Sequence, residues 1–155
     1  MKRFLSILIT MIVFAGCAMA DDVQEVRAFF NNYVNAANTY DNSVTTMYSP
    51  NAKIIRQVVK PDGGLANAYT DTATYVKQMK IGQAGAKLRG YTNSYSNVKI
   101  TNLGNGVYKI DALRQPKGET YKLKIYQKVK KINGKWTIIE ELMQTKEQIF
   151  LRYAK

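Results

Sequence analysis

The clearest alternation of apolar and polar positions covers residues 119–143, which read ETYKLKIYQKVKKINGKWTIIEELM. Two alternating runs flank Asn133-Gly134, a dipeptide that favours a type I′ hairpin turn because both of its residues tolerate positive φ. Counting outward from this turn predicts that the pairs on one face are Val129 with Ile138, Gln127 with Glu140, and Ile125 with Leu142. That face is expected to be buried, with Gln127 and Glu140 as its one polar pair.

Upstream of the hairpin, apolar residues that recur at spacings of three and four predict helices. A long amphipathic helix is predicted from Val23 to Tyr40, a short one from Val44 to Tyr48, and a third from Thr72 to Leu88. The third contains Gly82 and Gly85, which each cost about 1 kcal/mol relative to alanine. We therefore expect this helix to bend, or to end early near Gly82.

The remaining segments are rich in β-branched and aromatic residues and are bounded by glycine, proline and asparagine, which predicts strands. The predicted strands before the hairpin are residues 52–60, 65–69, 91–103 and 107–114. Residues 145–155 fit either a continuation of the last strand or a flap packed on the sheet. Helices followed by a meander of strands indicate one α+β domain.

The first twenty residues have the features of a secretory signal peptide. Lys2 and Arg3 precede an apolar run, Phe4–Phe14, that is short for a membrane span, and Ala18-Met19-Ala20 matches the small-x-small cleavage pattern. We expect cleavage after Ala20 to release a mature domain of residues 21–155 into the periplasm or the medium. Phe14-Ala15-Gly16-Cys17 resembles a bacterial lipobox, so a lipoprotein anchored through Cys17 is the alternative.

Composition excludes several kinds of chemistry. The chain has no histidine, which excludes histidine-based triads and histidine-ligated metals, and we predict no metal site and no cofactor. Its one cysteine, Cys17, leaves with the signal peptide, so the mature domain is expected to fold without disulfides. Removing residues 1–20 takes away two basic residues and lowers the formal net charge from +12 to +10.

The order of elements resembles the superfamily that includes nuclear transport factor 2, ketosteroid isomerase and the SnoaL-like polyketide cyclases. The local features that carry the resemblance are the helix end Ala37-Asn38-Thr39-Tyr40, the segment Met47-Tyr48-Ser49-Pro50-Asn51-Ala52, and the strand Lys135-Trp136-Thr137-Ile138. The resemblance implies a cone-shaped, cystatin-like α+β fold, in which a long N-terminal helix and two shorter helices pack in the concave face of a curved, mainly antiparallel sheet. The interior of such a cone either fills with side chains or becomes a ligand pocket. The superfamily contains isomerases, dehydratases, cyclases, assembly subunits and binding proteins, so the resemblance does not select a function.

The predicted interior offers a candidate for acid–base chemistry. Burial raises the pKa of a carboxylate, so Glu140 beside the neutral amide of Gln127 is a candidate general acid or base. The alternative is that Glu140 pairs with Arg56 or Arg114 as a structural contact. Tyrosines at positions 33, 40, 48 and 75 could supply hydrogen bonds to a ligand. The predicted pocket residues are Tyr33, Tyr40, Arg56, Arg114, Gln127 and Glu140.

The outer face of the hairpin carries a row of cations. The lysines predicted to project from it are Lys122, Lys124, Lys128 and Lys130. At about 7 Å between alternate residues, such a row could follow an anionic membrane or glycan surface. Lysines on exposed strands also prevent sheets from aggregating edge to edge, which is the alternative explanation.

These features favour an exported, non-enzymatic binding protein of the cell envelope. It would hold a small apolar or amphipathic ligand in the cone, or contact a protein or an anionic surface. An isomerase- or cyclase-like enzyme and an envelope assembly component that forms a homodimer through its sheet are the alternatives. Nucleic acid is disfavoured as a partner because the chain contains no recognisable reading motif.

Overall fold

The computed structural model describes residues 2–154, with side chains from residue 20 onward. Its helices are α1 (Lys2–Asn38), a 3-10 helix (Asn42–Met47), α2 (Thr72–Leu88) and a second 3-10 helix (Gln148–Tyr153). Its strands are β1 (Tyr48–Val59), β2 (Leu65–Thr70), β3 (Asn93–Gly104), β4 (Val107–Pro116), β5 (Leu123–Ile132) and β6 (Lys135–Thr145). The α+β class and the curved, mainly antiparallel sheet are confirmed.

The six strands form one sheet in the order β2-β1-β6-β5-β4-β3. Neighbouring strands are antiparallel, except that β1 is parallel to β6. This pairing places the first and last strands of the chain side by side within the sheet. The apolar stripe of α1 and the first residues of α2 pack on one face of this sheet. The buried core includes Val26, Phe30, Tyr33, Ile54, Ile110, Ile125, Val129 and Ile138.

The closing hairpin has the predicted turn, but its register differs from the prediction beyond Ile138. Asn133 and Gly134 adopt φ of 51° and 75°, and Val129 pairs with Ile138 as expected. A β-bulge then inserts Ile139 as an extra residue, so the following pairs are Lys128 with Glu140, Gln127 with Glu141, and Ile125 with Met143. The predicted pairs Gln127–Glu140 and Ile125–Leu142 are therefore wrong. One inserted residue reverses which side chains of β6 face the core.

Several predicted boundaries also change. The helix α2 continues through Gly82 and Gly85 to Leu88, so it does not end early at Gly82. The short second helix is a 3-10 turn, and β1 starts at Tyr48 rather than at Ala52 because its first residue already pairs with Ile138 of β6. The C-terminal residues form a 3-10 turn, and Ala154 then bridges to Ala68 on β2.

A polar cluster ties α1 to the end of the hairpin. Lys131 Nζ lies 2.9 Å from Asp22 Oδ1 and 2.7 Å from Glu25 Oε2, and the Trp136 indole N–H donates to Glu25 Oε2 at 2.8 Å.

The predicted signal peptide, residues 1–20, includes Cys17. Of its side chains, the structure describes that of Ala20. Within the described residues, no helix combines the length and the apolar character needed to cross a bilayer.

Candidate functional site

A fully buried carboxylate, Glu141, lies at the centre of the concave face. Its side chain is 0 % exposed and accepts hydrogen bonds from five groups on four different elements, α1, β1, α2 and β5. The donors to Oε1 are Arg56 Nη1 at 3.1 Å and the Tyr75 hydroxyl at 3.4 Å; the donors to Oε2 are the Tyr48 hydroxyl at 2.7 Å, Gln127 Nε2 at 2.9 Å and the Tyr33 hydroxyl at 3.4 Å. A carboxylate has about four lone-pair positions, so both oxygens are saturated by protein donors.

The elements around the core converge on this carboxylate. The parallel pairing of β1 with β6 places Ile54 of β1 opposite Glu141, so Arg56 projects from the same face two residues further along. On α2, the Asp71 carboxylate accepts from the Thr74 N–H as an N-cap, and this fixes the first turn, from which Tyr75 points to the sheet. The Arg56 guanidinium also lies 4.4 Å from the centre of the Tyr75 ring, a cation–π contact. The network therefore connects both helices to the middle of the sheet.

Burial and charge keep the groups of this network in fixed protonation states. Burial raises the pKa of Tyr33 and Tyr48 well above the usual value, and the neighbouring Glu141 carboxylate raises it further. Burial raises the pKa of Tyr75 to about 12, although the Arg56 charge acts in the opposite direction. Burial lowers the pKa of Arg56, but attraction to the tyrosines and to Glu141 outweighs burial and leaves the pKa raised. At neutral pH these phenols are donors and Arg56 is a cation.

A cavity of about 260 Å³ lies above this network, between α1, α2 and the sheet. Its lining is apolar or phenolic and consists of Tyr33, Ala37, Tyr40, Val44, Tyr75, Met79, Gly82, Gln83, Ala86, Tyr91, Asn93, Tyr95 and Met143. None of these side chains carries a formal charge. Its volume lies just below the range of about 300–1,000 Å³ that holds drug-sized ligands, so the space suits a smaller molecule.

Five of the six residues predicted to line a pocket belong to the concave side. Tyr33 and Tyr40 line the cavity, whereas Arg56 and Gln127 lie in the network beneath it. Arg114 is buried on β4, where it donates to Tyr91 and Asn93 in the cavity wall. The structure therefore brings together five of the six residues.

Glu140, the sixth, is on the outer face, so its predicted place in the interior is wrong. Its Oε1 accepts from the Tyr126 hydroxyl at 2.6 Å and lies 3.0 Å from Lys128 Nζ. Although partial burial raises its pKa, the hydrogen bonds from Tyr126 and Lys128 outweigh burial and lower it. The alternative partners proposed for it, Arg56 and Arg114, lie on the other side of the sheet. The physical reason is the bulge at Ile139, which turns Glu140 outward and Glu141 inward.

The predicted row of lysines lies on the outer side, and one of its four members is paired with a carboxylate. Lys122, Lys124 and Lys130 are exposed, and Lys122 Nζ donates to Ser96 Oγ at 3.3 Å, whereas Lys128 pairs with Glu140. Beside them, Lys109 pairs with Asp111 at 2.7 Å. The outer face of the hairpin therefore carries both ion pairs and exposed lysines.

Sequence reasoning missed Glu141 as the interior carboxylate, and it also missed Tyr91, Asn93 and Tyr95 in the cavity wall. Residues 138–143 consist of three pairs of similar residues, Ile138-Ile139, Glu140-Glu141 and Leu142-Met143. A shift of the strand by one residue therefore still places one isoleucine, one glutamate and one long apolar residue toward the core, and the hydrophobic pattern does not reveal the bulge. The break in strict alternation was the one available signal. The wall residues of β3 become neighbours of α2 only through the curvature of the sheet.

Comparison with known proteins gives the fold. No family model and no curated protein matches the chain. Among solved structures, a protein from Novosphingobium aromaticivorans that is provisionally assigned as a scytalone dehydratase has a TM-score of 0.60 at 14% identity, covering 80% of this chain and 83% of that chain. An NTF2-like protein of unknown function from Shewanella oneidensis has a TM-score of 0.61 at 15% identity, covering 79% and 98% respectively. A third, an NTF2-like protein with a cystatin-like fold from N. aromaticivorans, has a TM-score of 0.59 at 10% identity, covering 87% and 88%. The chain therefore has the fold of the nuclear-transport-factor-2-like proteins, as its sequence had suggested.

Proposed function

We propose that this protein is an exported, non-enzymatic binding protein of the cell envelope that holds a small amphipathic ligand in the cavity. The observation that carries this proposal is the 260 Å³ space lined by uncharged apolar and phenolic side chains above a network whose carboxylate is already saturated. Apolar walls stabilise the body of a ligand, and a few phenol and amide groups orient its polar end.

The saturation of Glu141 favours binding over acid–base catalysis. A general base needs a free lone pair within hydrogen-bond reach of the substrate proton. The lone pairs of Glu141 are occupied by five protein donors, one of which is the Arg56 guanidinium at 3.1 Å. An isomerase-, cyclase- or dehydratase-like activity would require this network to open, which exposes a buried ion pair.

Filling the cavity tests the proposal. Ala86 of α2 lines the cavity, whereas Ala84 on the same helix is exposed and is not part of the lining. Ala86→Trp should displace ligand that copurifies with the protein from its native host, as measured by native mass spectrometry, and Ala84→Trp should leave it bound. The proposal is contradicted if the protein is free of ligand in every preparation. It is also contradicted if the Ala86→Trp variant still carries the ligand. Circular dichroism of both variants checks that each is folded.

The outer face supports a second candidate, the binding of an anionic membrane or glycan surface. Lys124 and Lys130 are exposed cations on the same side of β5, in a chain with a formal net charge of +12. Attraction of this kind weakens as salt is added, because the Debye length falls to about 8 Å at physiological ionic strength. Salt-independent binding to anionic vesicles, or no binding, would contradict it.

A further inference from the structure

Arg114 is a buried cation whose hydrogen-bond partners are all neutral. It is 6 % exposed, and its Nη1 donates to Asn93 Oδ1 at 2.8 Å and to the Tyr91 hydroxyl at 3.2 Å. Its Nη2 donates to the Gln144 carbonyl at 2.9 Å, and its buried Nε has no partner. Within residues 20–154, no carboxylate lies within 4 Å of this guanidinium, whereas buried Arg56 contacts Glu141 at 3.1 Å.

An isolated buried charge is costly, because burial removes its hydration and neutral dipoles replace only part of it. The arginine side chain is charged in proteins. A bound anion next to Arg114 would supply the counter-charge that the described residues do not provide.

The uncompensated charge lies next to the cavity. Two of its partners, Tyr91 and Asn93, belong to the cavity wall, and so does Tyr95, which pairs with Arg114 across β3 and β4. The Arg114 charge also acts to lower the pKa of Tyr95, although burial dominates and leaves that pKa raised. The ion pair of Arg56 with Glu141 is neutral as a unit, so it does not compensate the charge of Arg114.

We propose that the cavity selects small carboxylic acids with an apolar body. The carboxylate would accept hydrogen bonds from the Asn93 amide NH₂ and from the Tyr91 hydroxyl, which would turn away from its present acceptor, Asn93 Oδ1 at 3.3 Å. Arg114 would act as a positioning residue that holds both groups and supplies the counter-charge. Tyr91 is 40 % exposed, so this end of the cavity is next to solvent, where a carboxylate can stay partly hydrated. The apolar body would contact Met79, Ala86 and Met143. This inference rests on the proposed function, because it requires that the cavity binds a ligand.

Calorimetric titration with octanoate and with octan-1-ol tests the inference, because these probes share an apolar chain and differ in charge. We expect the wild-type protein to bind octanoate at least about tenfold more tightly than octan-1-ol, the difference that a hydrogen-bonded charge typically makes. Arg114→Gln should remove this preference while octan-1-ol binding stays within about twofold, and Arg114→Lys should restore part of it.

The outcomes separate this inference from the proposed function. Equal affinity for both probes in the wild type, or a preference that survives Arg114→Gln, overturns carboxylate selection and leaves cavity binding intact. Binding of neither probe contradicts both. If circular dichroism shows that Arg114→Gln is unfolded, Tyr91→Phe provides the test on an exposed side chain: a loss of octanoate affinity with unchanged octan-1-ol affinity supports the inference, and unchanged affinity for both overturns it.

Discussion

Replacing Glu141 by glutamine should destabilise the fold strongly, because it leaves Arg56 as a buried cation without a carboxylate partner. Arg56 is 9 % exposed and Glu141 is 0 % exposed, so neither group can recover hydration without local opening. Breaking a buried ion pair by removing one partner typically costs about 3–5 kcal/mol of unfolding free energy. In addition, the amide NH₂ of glutamine would face donors that now bind a carboxylate oxygen. We therefore expect Glu141→Gln to lose about 3–5 kcal/mol in urea-induced unfolding.

Glu140→Gln is the matched control, since the same change is made one residue away on the other face. Glu140 contacts Lys128 and Tyr126 at a partly exposed position, where an ion pair contributes about 1 kcal/mol or less. A double replacement, Arg56→Met with Glu141→Leu, should cost less than the sum of the two single replacements, because neither charge then stays buried without its partner. If Glu140→Gln is as costly as Glu141→Gln, the bulged register and the assigned role of Glu141 are both wrong.

Three further predictions follow from the described contacts. Raising the pH above about 10 should destabilise the protein, because Tyr75 keeps its proton up to a pKa of about 12 in the folded state but ionises near 10 when unfolded. Part of the phenolate absorbance should then appear only together with the loss of the circular dichroism signal, and complete ionisation of all eleven tyrosines in a protein that is still folded would contradict the burial of these phenols. Gly82→Ala should raise the unfolding free energy by up to about 1 kcal/mol, because an added Cβ meets nothing within 4 Å and alanine favours the helix; a loss of stability would contradict this. The double variant Lys124→Gln with Lys130→Gln should weaken binding to anionic vesicles at low salt with unchanged thermal stability, and unaltered binding would remove the outer face as the contact surface.

The sequence alone was sufficient for the type and order of the two long helices and the six strands. Spacings of three and four residues identified the part of α1 that packs on the sheet, and the Asn133-Gly134 turn was predicted because only a few residue types tolerate its backbone angles. These signals are local, since each depends on the conformational preferences of a few neighbouring residues. The same signals led to five of the six predicted concave-side residues, including Arg56 and Gln127.

Tertiary structure alone decided which glutamate became the buried partner of Arg56 and where Arg114 lies relative to the cavity. The bulge at Ile139 reverses the parity of β6, and the paired residues around it make both parities equally compatible with the hydrophobic pattern. The parallel pairing of β1 with β6 joins segments about 85 residues apart, as the contact between Arg56 and Glu141 shows. Such contacts depend on the packing of the whole sheet against α1 and α2, and no local preference of the chain encodes them.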